Sequence, residues 1–343
     1  MTIAPTAYRI SKVDPRTATD AELVGVARLN AALDRERVPE DPPTPIEAYV
    51  RRYRAIPAMV EIEAQLATLG EDTVGLAFIF AFKADTNQDL REVNLAVHPG
   101  HRRRGLATEL LRRSLEGLAD DLTLTGYGND RVPAGAVFAA RVGAKPGLAM
   151  HLNQLVLADV DRALIEEWAT LDPEGYRAVW ITGNVPDELI ENFIVAYDTM
   201  NTAPRGDLKM DDWKTTPEMV REWDRTRAIS GRERWAVLVI EERTGETAGY
   251  TEVSLDPATP HVIGQQGTAT IPAHRGRGIG KWMKALVIRR ILAERPAARF
   301  IRTGNATSNA PMLAINTRLG FKPAWASTVY QVKAGDAKRA LGL

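Results

Sequence analysis

The chain has 343 residues, and its 44 Lys and Arg residues equal its 44 Asp and Glu residues, so the formal net charge at pH 7 is zero. This balance argues against nucleic acid or an anionic membrane as a partner. The absence of cysteine excludes disulfides, thiolate nucleophiles and cysteine-bound metals, and no apolar run is long enough to span a membrane. Residues 1–7 lack the charged and apolar regions of a secretory signal, so we expect a cytoplasmic protein with room for two domains.

The first half of the chain predicts a mixed succession of strands and helices. Thr19 and Glu22 form a capping-box pattern that starts a helix, and Pro45 suits the first turn of the next one. The predicted strands are Tyr8–Val13, Met59–Ala67, Thr73–Ala84, Arg91–Val97, Leu122–Thr125 and Asn153–Leu157. The helix that starts at the capping box is predicted to end at about Arg37, and the next one covers Pro45–Ile56. A loop and a helix are predicted within Arg102–Leu118, and two further helices cover Ala134–Val142 and Asp161–Leu171.

The second half predicts the same succession again. Strands are predicted over Tyr176–Thr182, Trp235–Glu241, Ala248–Leu255, Gly267–Thr270, Phe300–Thr303 and Val329–Val332. Helices are predicted over Pro186–Met200, Pro217–Ile229, Lys281–Leu292 and Ala310–Leu319. Arg102 and Arg275, and likewise Gly143 and Gly320, are separated by about half the chain, so the sequence predicts two copies of one fold.

A glycine-rich loop follows a strand in the second half. Pro272 ends the strand, residues 274–280 read His-Arg-Gly-Arg-Gly-Ile-Gly, and a helical pattern follows at once. Glycines allow a ligand to approach the backbone closely, and the first amides of a helix favour an anion. The first half repeats the pattern from Pro99 to Ala107 with fewer glycines. The residues therefore predict a phosphate-binding turn, with a simple strand-to-helix turn as the alternative.

The pattern Arg275-x-x-Gly278-x-Gly280 resembles the acyl-CoA pyrophosphate loop of the GNAT N-acetyltransferase superfamily. The later stretch from Asn309 to Phe321 is similar to the helix that follows in that family. The repeated layout resembles the tandem-domain type exemplified by mycothiol synthases. The resemblance implies an α+β fold of two tandem GNAT-like domains, each with a mixed, mostly antiparallel sheet flanked by helices. We expect an N-terminal domain over residues 1–158, a linker over 159–175 and a C-terminal domain over 176–343.

The resemblance implies an N-acetyltransferase that moves an acetyl group from acetyl-CoA, as cosubstrate, to a primary amine of a small molecule. No metal is expected, and the internal repeat suggests a monomer or a weak dimer. The alternative is a protein that binds acyl-CoA as a sensor without turnover. The acceptor amine is not specified by any motif, and aminoglycoside-type acceptors fit as well as the mycothiol precursor.

The resemblance also implies which residues hold acetyl-CoA. In the C-terminal copy they are Thr270, Ile271, Arg275, Gly276, Arg277, Gly278, Ile279, Gly280, Lys281, Asn305 and Asn309. In the N-terminal copy they are Val97, His98, Arg102, Arg103, Arg104, Gly105, Leu106 and Ala107. The strand end at Thr270 and Ile271 is expected to offer unpaired amides, one of which can stabilise an oxyanion. Because Val132 stands where the other copy has Asn309, we expect the C-terminal copy to be catalytic and the N-terminal one to be degenerate.

The proton-transfer groups depart from the family pattern. The family's acid, a Tyr on the last motif helix, is replaced by Asn316 in one copy and Ala139 in the other. Tyr330 is the predicted substitute, with a half-buried strand tyrosine as the alternative; the thiolate can also leave unprotonated.

The general base of the C-terminal copy also departs from the family pattern. The family's Glu, on the strand before the loop, aligns with Glu92 in the first copy and with Gln265 in the second. We therefore predict Glu252 as the base of the C-terminal copy, on a strand face shared with Tyr250 and Ser254 that lines a cleft. The alternative is an ordinary solvent-facing strand surface. His101 and His274, beside the loop arginines, are predicted to be surface side chains.

Overall fold

The computed structural model describes residues 8–343, so the assessment of a signal sequence at residues 1–7 lies outside the described part. The chain forms two compact units. The N-terminal unit contains the described residues up to Ala149 together with Gly206–Asp211 and Ser327–Leu343. The C-terminal unit contains Met150–Arg205 and Asp212–Ala326. The N-terminal unit thus includes the last residues of the second copy, and the C-terminal unit includes the last strand residues of the first copy.

The first copy forms its elements in the predicted order. Its strands are β1 Arg9–Val13, β2 Val60–Leu69, β3 Asp72–Phe82, β4 Leu90–Val97, β5 Thr123–Asn129 and β6 Lys145–Val156. Its helices are α1 Asp20–Arg37, α2 Ile46–Arg54, α3 Leu106–Leu115 and α4 Ala134–Arg141. The capping box at the start of α1 is confirmed, because Thr19 and Glu22 exchange side-chain and backbone hydrogen bonds.

The second copy follows after helix α5 Arg162–Ala169. Its strands are β7 Tyr176–Thr182, β8 Glu233–Glu241, β9 Thr247–Leu255, β10 Val262–Thr270, β11 Phe300–Ala306 and β12 Lys322–Lys333. Its helices are α6 Ile190–Asp198, α7 Pro217–Ser230, α8 Ile279–Glu294, α9 Ala310–Leu319 and α10 Ala334–Leu341. Strand β10 begins before the predicted Gly267, and helix α10 was not predicted.

In the N-terminal unit the strands lie in the order β1-β2-β3-β4-β5, and Ser327–Lys333 of β12 completes the sheet beside β5. In the C-terminal unit the order is β6-β11-β10-β9-β8-β7, with Met150–Val156 of β6 beside β11. Within each unit the paired strands are antiparallel except for one parallel pair, β4–β5 or β10–β11. The predicted α+β fold with mostly antiparallel sheets is confirmed.

Helices cover both faces of each sheet. In the N-terminal unit, one face packs against α1 through Ala96 and Leu29, and the opposite face packs against α3 through Val93 and Leu111. In the C-terminal unit α5 and α8 cover one face, and α6 covers the other. No helix in residues 8–343 has the length and apolar character needed to cross a membrane.

Candidate functional site

A cleft opens where the two parallel strands of the N-terminal unit separate. Strands β4 and β5 pair only as far as Val93 opposite Gly126. Beyond that point β4 stays paired with β3 and β5 stays paired with β12, so the two strands diverge. The gap is part of a cavity of about 590 Å³. Its wall includes Leu95 and Val97 of β4, Thr125 and Tyr127 of β5, Phe138 of α4 and Tyr330 of β12.

The C-terminal unit separates its parallel strands in the same way. Strands β10 and β11 pair from Val262 opposite Phe300 to Gly264 opposite Arg302. Strand β10 then continues along β9, while β11 continues along β6. In both units, therefore, the fourth and fifth strands do not pair with each other beyond this point.

The amides at the strand ends are only partly open. The Ile271 amide donates to the Ala248 carbonyl at 2.9 Å, and the His98 amide donates to the Val74 carbonyl at 2.9 Å. The prediction of an unpaired amide at Ile271 is therefore wrong, because the adjacent strand β9 accepts its hydrogen bond. Successive strand amides point to opposite sides, so the Thr270 amide, like that of Val97, points toward the opened gap.

The loops of the two units share one backbone conformation. Gly105 and Gly278 both have φ of 81°, and each precedes the first residue of a helix without a side-chain cap. Two positions earlier, Arg103 has φ of 62° where Gly276 has φ of 78°. A non-glycine residue in this region costs about 1 kcal/mol, so the fold imposes this conformation on Arg103. The uncapped helix starts leave amides available to a phosphate.

The motif arginine ties each loop to its strand. Arg102 Nε donates to the Val97 carbonyl, and Arg275 Nε donates to the Thr270 carbonyl, both at 3.1 Å. The rest of the Arg102 guanidinium pairs with both oxygens of Glu36 at 2.7 and 2.5 Å. Its hydrogen bonds hold the pKa of Glu36 below the usual value. These arginines shape the loop before any ligand is bound.

His274 is not the surface side chain that the sequence predicted. It is 8% exposed, and its Nδ1 lies 2.9 Å from the hydroxyl of Tyr176. In the other copy His101 Nδ1 lies 3.1 Å from the hydroxyl of Tyr8. The prediction missed this contact because the tyrosine is far away in sequence, immediately before β1 in one copy and at the start of β7 in the other.

Glu92 stands at the closed end of the N-terminal cleft. It pairs with Thr125 across β5, one position before the two strands separate. It shares the α1 face with Ala96, since alternate strand residues point to the same side. Partial burial raises the pKa of Glu92 to about 7. A carboxyl group with such a pKa is suited to accept a proton near neutral pH.

A β-bulge shifts the strand position that corresponds to Glu92 in the C-terminal unit. Between Gln265 and Thr268, strand β10 has two residues opposite the single residue Glu252 of β9. The alignment of Gln265 with Glu92 is therefore shifted by one residue, and Gly264 takes the position of Glu92. Gln265 instead faces α8, and its side-chain amide donates to the Glu252 carbonyl of β9 at 2.7 Å.

A buried lysine lies beside Gln265. Lys284 is 1% exposed, and its Nζ lies 3.3 Å from Gln265 Oε1 and 5.2 Å from the centre of the Phe321 ring. Burial lowers the pKa of Lys284 to about 7. Sequence reasoning missed this residue because it sits inside an otherwise helical apolar pattern.

The face that holds Glu252 is closed rather than open. Glu252 is 7% exposed, its Oε1 lies 3.4 Å from Arg227 Nη2 and its Oε2 lies 3.3 Å from Arg234 Nε. Arg234 is itself buried and also pairs with Asp224. Tyr250, on the same face, packs against α6. The expected cleft surface is thus a buried ion cluster beside a hydrophobic core.

Tyr330 belongs to the N-terminal unit. It pairs with Gly126 of β5 and lines the cavity of that unit. The two residues predicted to share one catalytic site, Glu252 and Tyr330, therefore lie in different units. The order of elements in the sequence assigns β12 to the second copy, but it does not determine which sheet the final residues of β12 join.

The asparagines near α9 have partners within the C-terminal unit. Asn309 caps the helix by accepting from the Met312 amide at 3.4 Å. Asn305 Oδ1 accepts from Asn153 at 3.1 Å and from Asn316 at 2.9 Å. These bonds fix the start of α9 and the end of β11. Among residues 8–343, no group of three or more His, Asp or Glu side chains is placed to hold a metal ion.

The chain matches the model of the Acetyltransferase (GNAT) family over residues 34–139 and 199–321. It is 28% identical over 240 residues to a mycothiol acetyltransferase of Saccharomonospora viridis, an alignment that covers 66% of this chain and 70% of that protein. The match in two regions agrees with the internal repeat.

Solved structures show the same fold. A tandem GNAT protein from the clavulanic acid biosynthesis pathway superposes with a TM-score of 0.78 at 24% identity, covering 96% of this chain and 99% of that one. A GCN5-related N-acetyltransferase from Sphaerobacter thermophilus superposes with a TM-score of 0.64 at 16% identity, covering 95% and 96% of the two chains.

Proposed function

Because the chain belongs to the acetyltransferase (GNAT) family, we propose that it moves an acetyl group from acetyl-CoA to the primary amine of a small molecule. The observation that carries this proposal is the cleft of the N-terminal unit, which is lined by a left-handed loop and an uncapped helix start. A partly buried carboxyl group, that of Glu92, lies one strand position before the gap opens. Together these features provide a place for an anion, a thioester and a proton.

The donor binds through backbone and cationic groups in this proposal. The first amides of α3, from Leu106 to Thr108, receive the pyrophosphate, and Arg103 and Arg104 add positive charge. The pantetheine arm enters the gap between β4 and β5, whose walls are mainly apolar. The Val97 amide is placed to donate to the thioester oxygen when it becomes an oxyanion.

The acceptor amine attacks the thioester carbon in its neutral form. Glu92 takes the amine proton, directly or through water, as the new carbon–nitrogen bond forms. The carbon–sulfur bond then breaks, and the CoA thiolate leaves with the bonding electron pair. Tyr330 lines the cavity together with Leu95 and Val97 of β4, so its hydroxyl is the group that we propose to protonate the thiolate.

The C-terminal unit is the alternative place for the reaction. Its loop has glycine at both left-handed positions, and Asn309 fits the family pattern, which is why the sequence favours it. The geometry favours the N-terminal unit, because Glu252 is held in two buried ion pairs and Gly264 has no side chain. We therefore propose that the C-terminal unit binds an acyl-CoA without transferring its acyl group, and that the N-terminal unit performs transfer.

The proposed acceptor class follows from a relative. The protein of Saccharomonospora viridis is named for mycothiol acetylation, which points to an amine on a small, polar molecule. The clavulanic acid pathway protein is a structural neighbour from the synthesis of another small molecule. A small-molecule amine is accordingly our first choice, and a protein lysine is our second.

A thiol-release assay tests this proposal. The full chain is incubated with acetyl-CoA and a panel of amines that includes aminosugars, aminoglycosides and a lysine peptide. We expect amine-dependent thiol release with at least one small amine and a matching acetylated product by mass spectrometry. Acetyl-CoA binding without release for any amine would instead support a sensor that does not turn over its ligand.

A further inference from the structure

We infer that Tyr8, which immediately precedes β1, and Tyr176, the first residue of β7, are positioning residues for the loop that binds the acyl-CoA pyrophosphate. The inference deepens the proposed function and rests on it for the identity of the ligand. Each tyrosine reaches a histidine that immediately precedes the motif arginine. The same three-part arrangement of tyrosine, histidine and arginine occurs in both units.

In the N-terminal unit the tyrosine hydroxyl has two partners. It lies 3.1 Å from His101 Nδ1, and it accepts a hydrogen bond from Arg104 Nη1 at 3.1 Å. The Tyr8 and His101 rings meet edge to face, with centroids 5.9 Å apart. One side chain from a distant strand thus holds both ends of the segment that contains the left-handed Arg103.

In the C-terminal unit the same groups are more deeply packed. Tyr176 is 5% exposed and His274 is 8% exposed, and their rings meet edge to face with centroids 5.6 Å apart. Arg277, at the position that matches Arg104, lies with its guanidinium 5.7 Å from the centre of the Tyr176 ring. The contact between arginine and tyrosine differs in type but connects the same positions.

The arrangement explains how a loop with an uncapped helix start keeps its shape before a ligand arrives. Gly105 cannot cap the start of α3 with a side chain, and Arg103 is in a left-handed conformation that costs free energy. A tyrosine–histidine bond fixes the turn just before these residues. The tyrosine also contacts an arginine of the loop, Arg104 or Arg277, and so orients a positive charge toward the bound anion. A fixed loop loses less entropy when the anion binds.

Two variants test the inference, Tyr8→Phe and Tyr176→Phe, because each keeps the ring and removes the hydroxyl. Calorimetry with CoA alone measures binding without any need for turnover. We expect each variant to weaken CoA binding at the site of its own unit by about fivefold, the effect of losing one hydrogen bond. Tyr53→Phe is the matched control, since it removes a hydroxyl bonded to Asn30 away from the loop. It should leave CoA affinity unchanged.

A donor without a pyrophosphate separates positioning from general damage. For Tyr8→Phe we expect a higher KM for acetyl-CoA, an unchanged kcat and an unchanged KM for acetylpantetheine. Unchanged CoA affinity in both variants, or equal losses with CoA and acetylpantetheine, would overturn the inference. Normal CoA binding by the unaltered chain without turnover would refute the proposed function but leave this inference intact.

Discussion

Gly264 in β10 holds the sheet position that Glu92 holds in β4. Glu92 lies opposite Phe80 and Thr125, and Gly264 lies opposite Ser254 and Arg302 at the corresponding pairs. The bulge after Gln265 causes this shift by one residue. The C-terminal unit consequently has a hydrogen atom where the N-terminal unit has a carboxyl group, and the two clefts are unequal in their ability to accept a proton.

The first prediction concerns Glu92. Because the proposed reaction needs a proton acceptor, Glu92→Gln should lower kcat by roughly 10²-fold, in the range for loss of a general base. The unaltered chain should show a rate that rises with pH through about 7, since the pKa of Glu92 is raised to about 7 and only the deprotonated form accepts a proton. The variant should lack this acidic limb.

Steady-state rates between pH 5.5 and 9 at saturating acetyl-CoA measure both effects, a pH interval of about 1.5 to 2 units on each side of that pKa. Glu63→Gln is a suitable control, because Glu63 is an exposed carboxylate on β2 that pairs with Lys12. An unchanged pH profile in Glu92→Gln would assign the titrating group elsewhere.

The same carboxyl group predicts a stability effect. Its folded pKa is about 7 against an ordinary value of 4.5, so the native protein binds the proton more tightly than the unfolded chain. Stability from this group is present at low pH and is lost as pH rises from 4.5 through about 7. Urea unfolding of Glu92→Gln should show a weaker decline over that interval, and an identical decline would mean that Glu92 has its ordinary pKa.

A third prediction concerns Glu252. Its carboxylate joins Arg227 and Arg234 in a buried cluster, so Glu252→Gln leaves part of the arginine charge unpaired. Loss of one partner from a buried ion pair costs about 3 kcal/mol, so the variant should melt at a lower temperature. Its kcat should change by less than about threefold, well below the loss expected for a general base.

Kinetics below the melting transition and a thermal scan of the same preparation give both quantities. A fall in kcat of roughly 10²-fold with an unchanged melting temperature would restore Glu252 as the general base. The C-terminal unit would then be the catalytic one, as the sequence alone favours.

A fourth prediction follows from Lys284. Burial lowers its pKa from 10.5 to about 7, so between these values the unfolded chain binds more protons than the native protein. Stability should therefore rise with pH across this interval. Lys284→Met, which removes the titrating amine but keeps an unbranched side chain, should be more stable at pH 7 and should flatten the rise. The exposed Lys322→Met serves as a control. A curve unchanged in Lys284→Met would mean that the lysine is charged and solvated in the native state.

Local sequence signals predicted much of this fold. The Thr19 capping box gave the correct start of α1, and the Arg-Gly loop gave the start of α8 two residues late, at Lys281 rather than Ile279, because side chains and backbone close in sequence determine caps and turns. The bulge after Gln265 was not predictable, because nothing in the Gly-Gln-Gln-Gly stretch says which residue is left unpaired. The burial of His274 depends on a strand far away in sequence.

The strand that carries Tyr330 shows a second limit. The repeat predicts that this strand closes the second copy, whereas Ser327–Lys333 pairs with β5 of the N-terminal unit. The equivalent strands β5 and β11 present similar edges for pairing. Which of them β12 pairs with therefore depends on how the units fold and not on a local residue pattern. Site residues that depend on sheet position were therefore harder to predict than loop residues.

Thiol release by the matched variants Gly105→Asp and Gly278→Asp tests the central claim most directly. Both glycines have φ of 81°, so an aspartate brings the same backbone strain and the same negative charge to each loop. Asparagine at each position controls for strain without charge. We predict that Gly105→Asp abolishes acetyl transfer in a protein that melts like Gly105→Asn, while Gly278→Asp keeps most of it. Loss of transfer only in Gly278→Asp would contradict the account and place catalysis in the C-terminal unit.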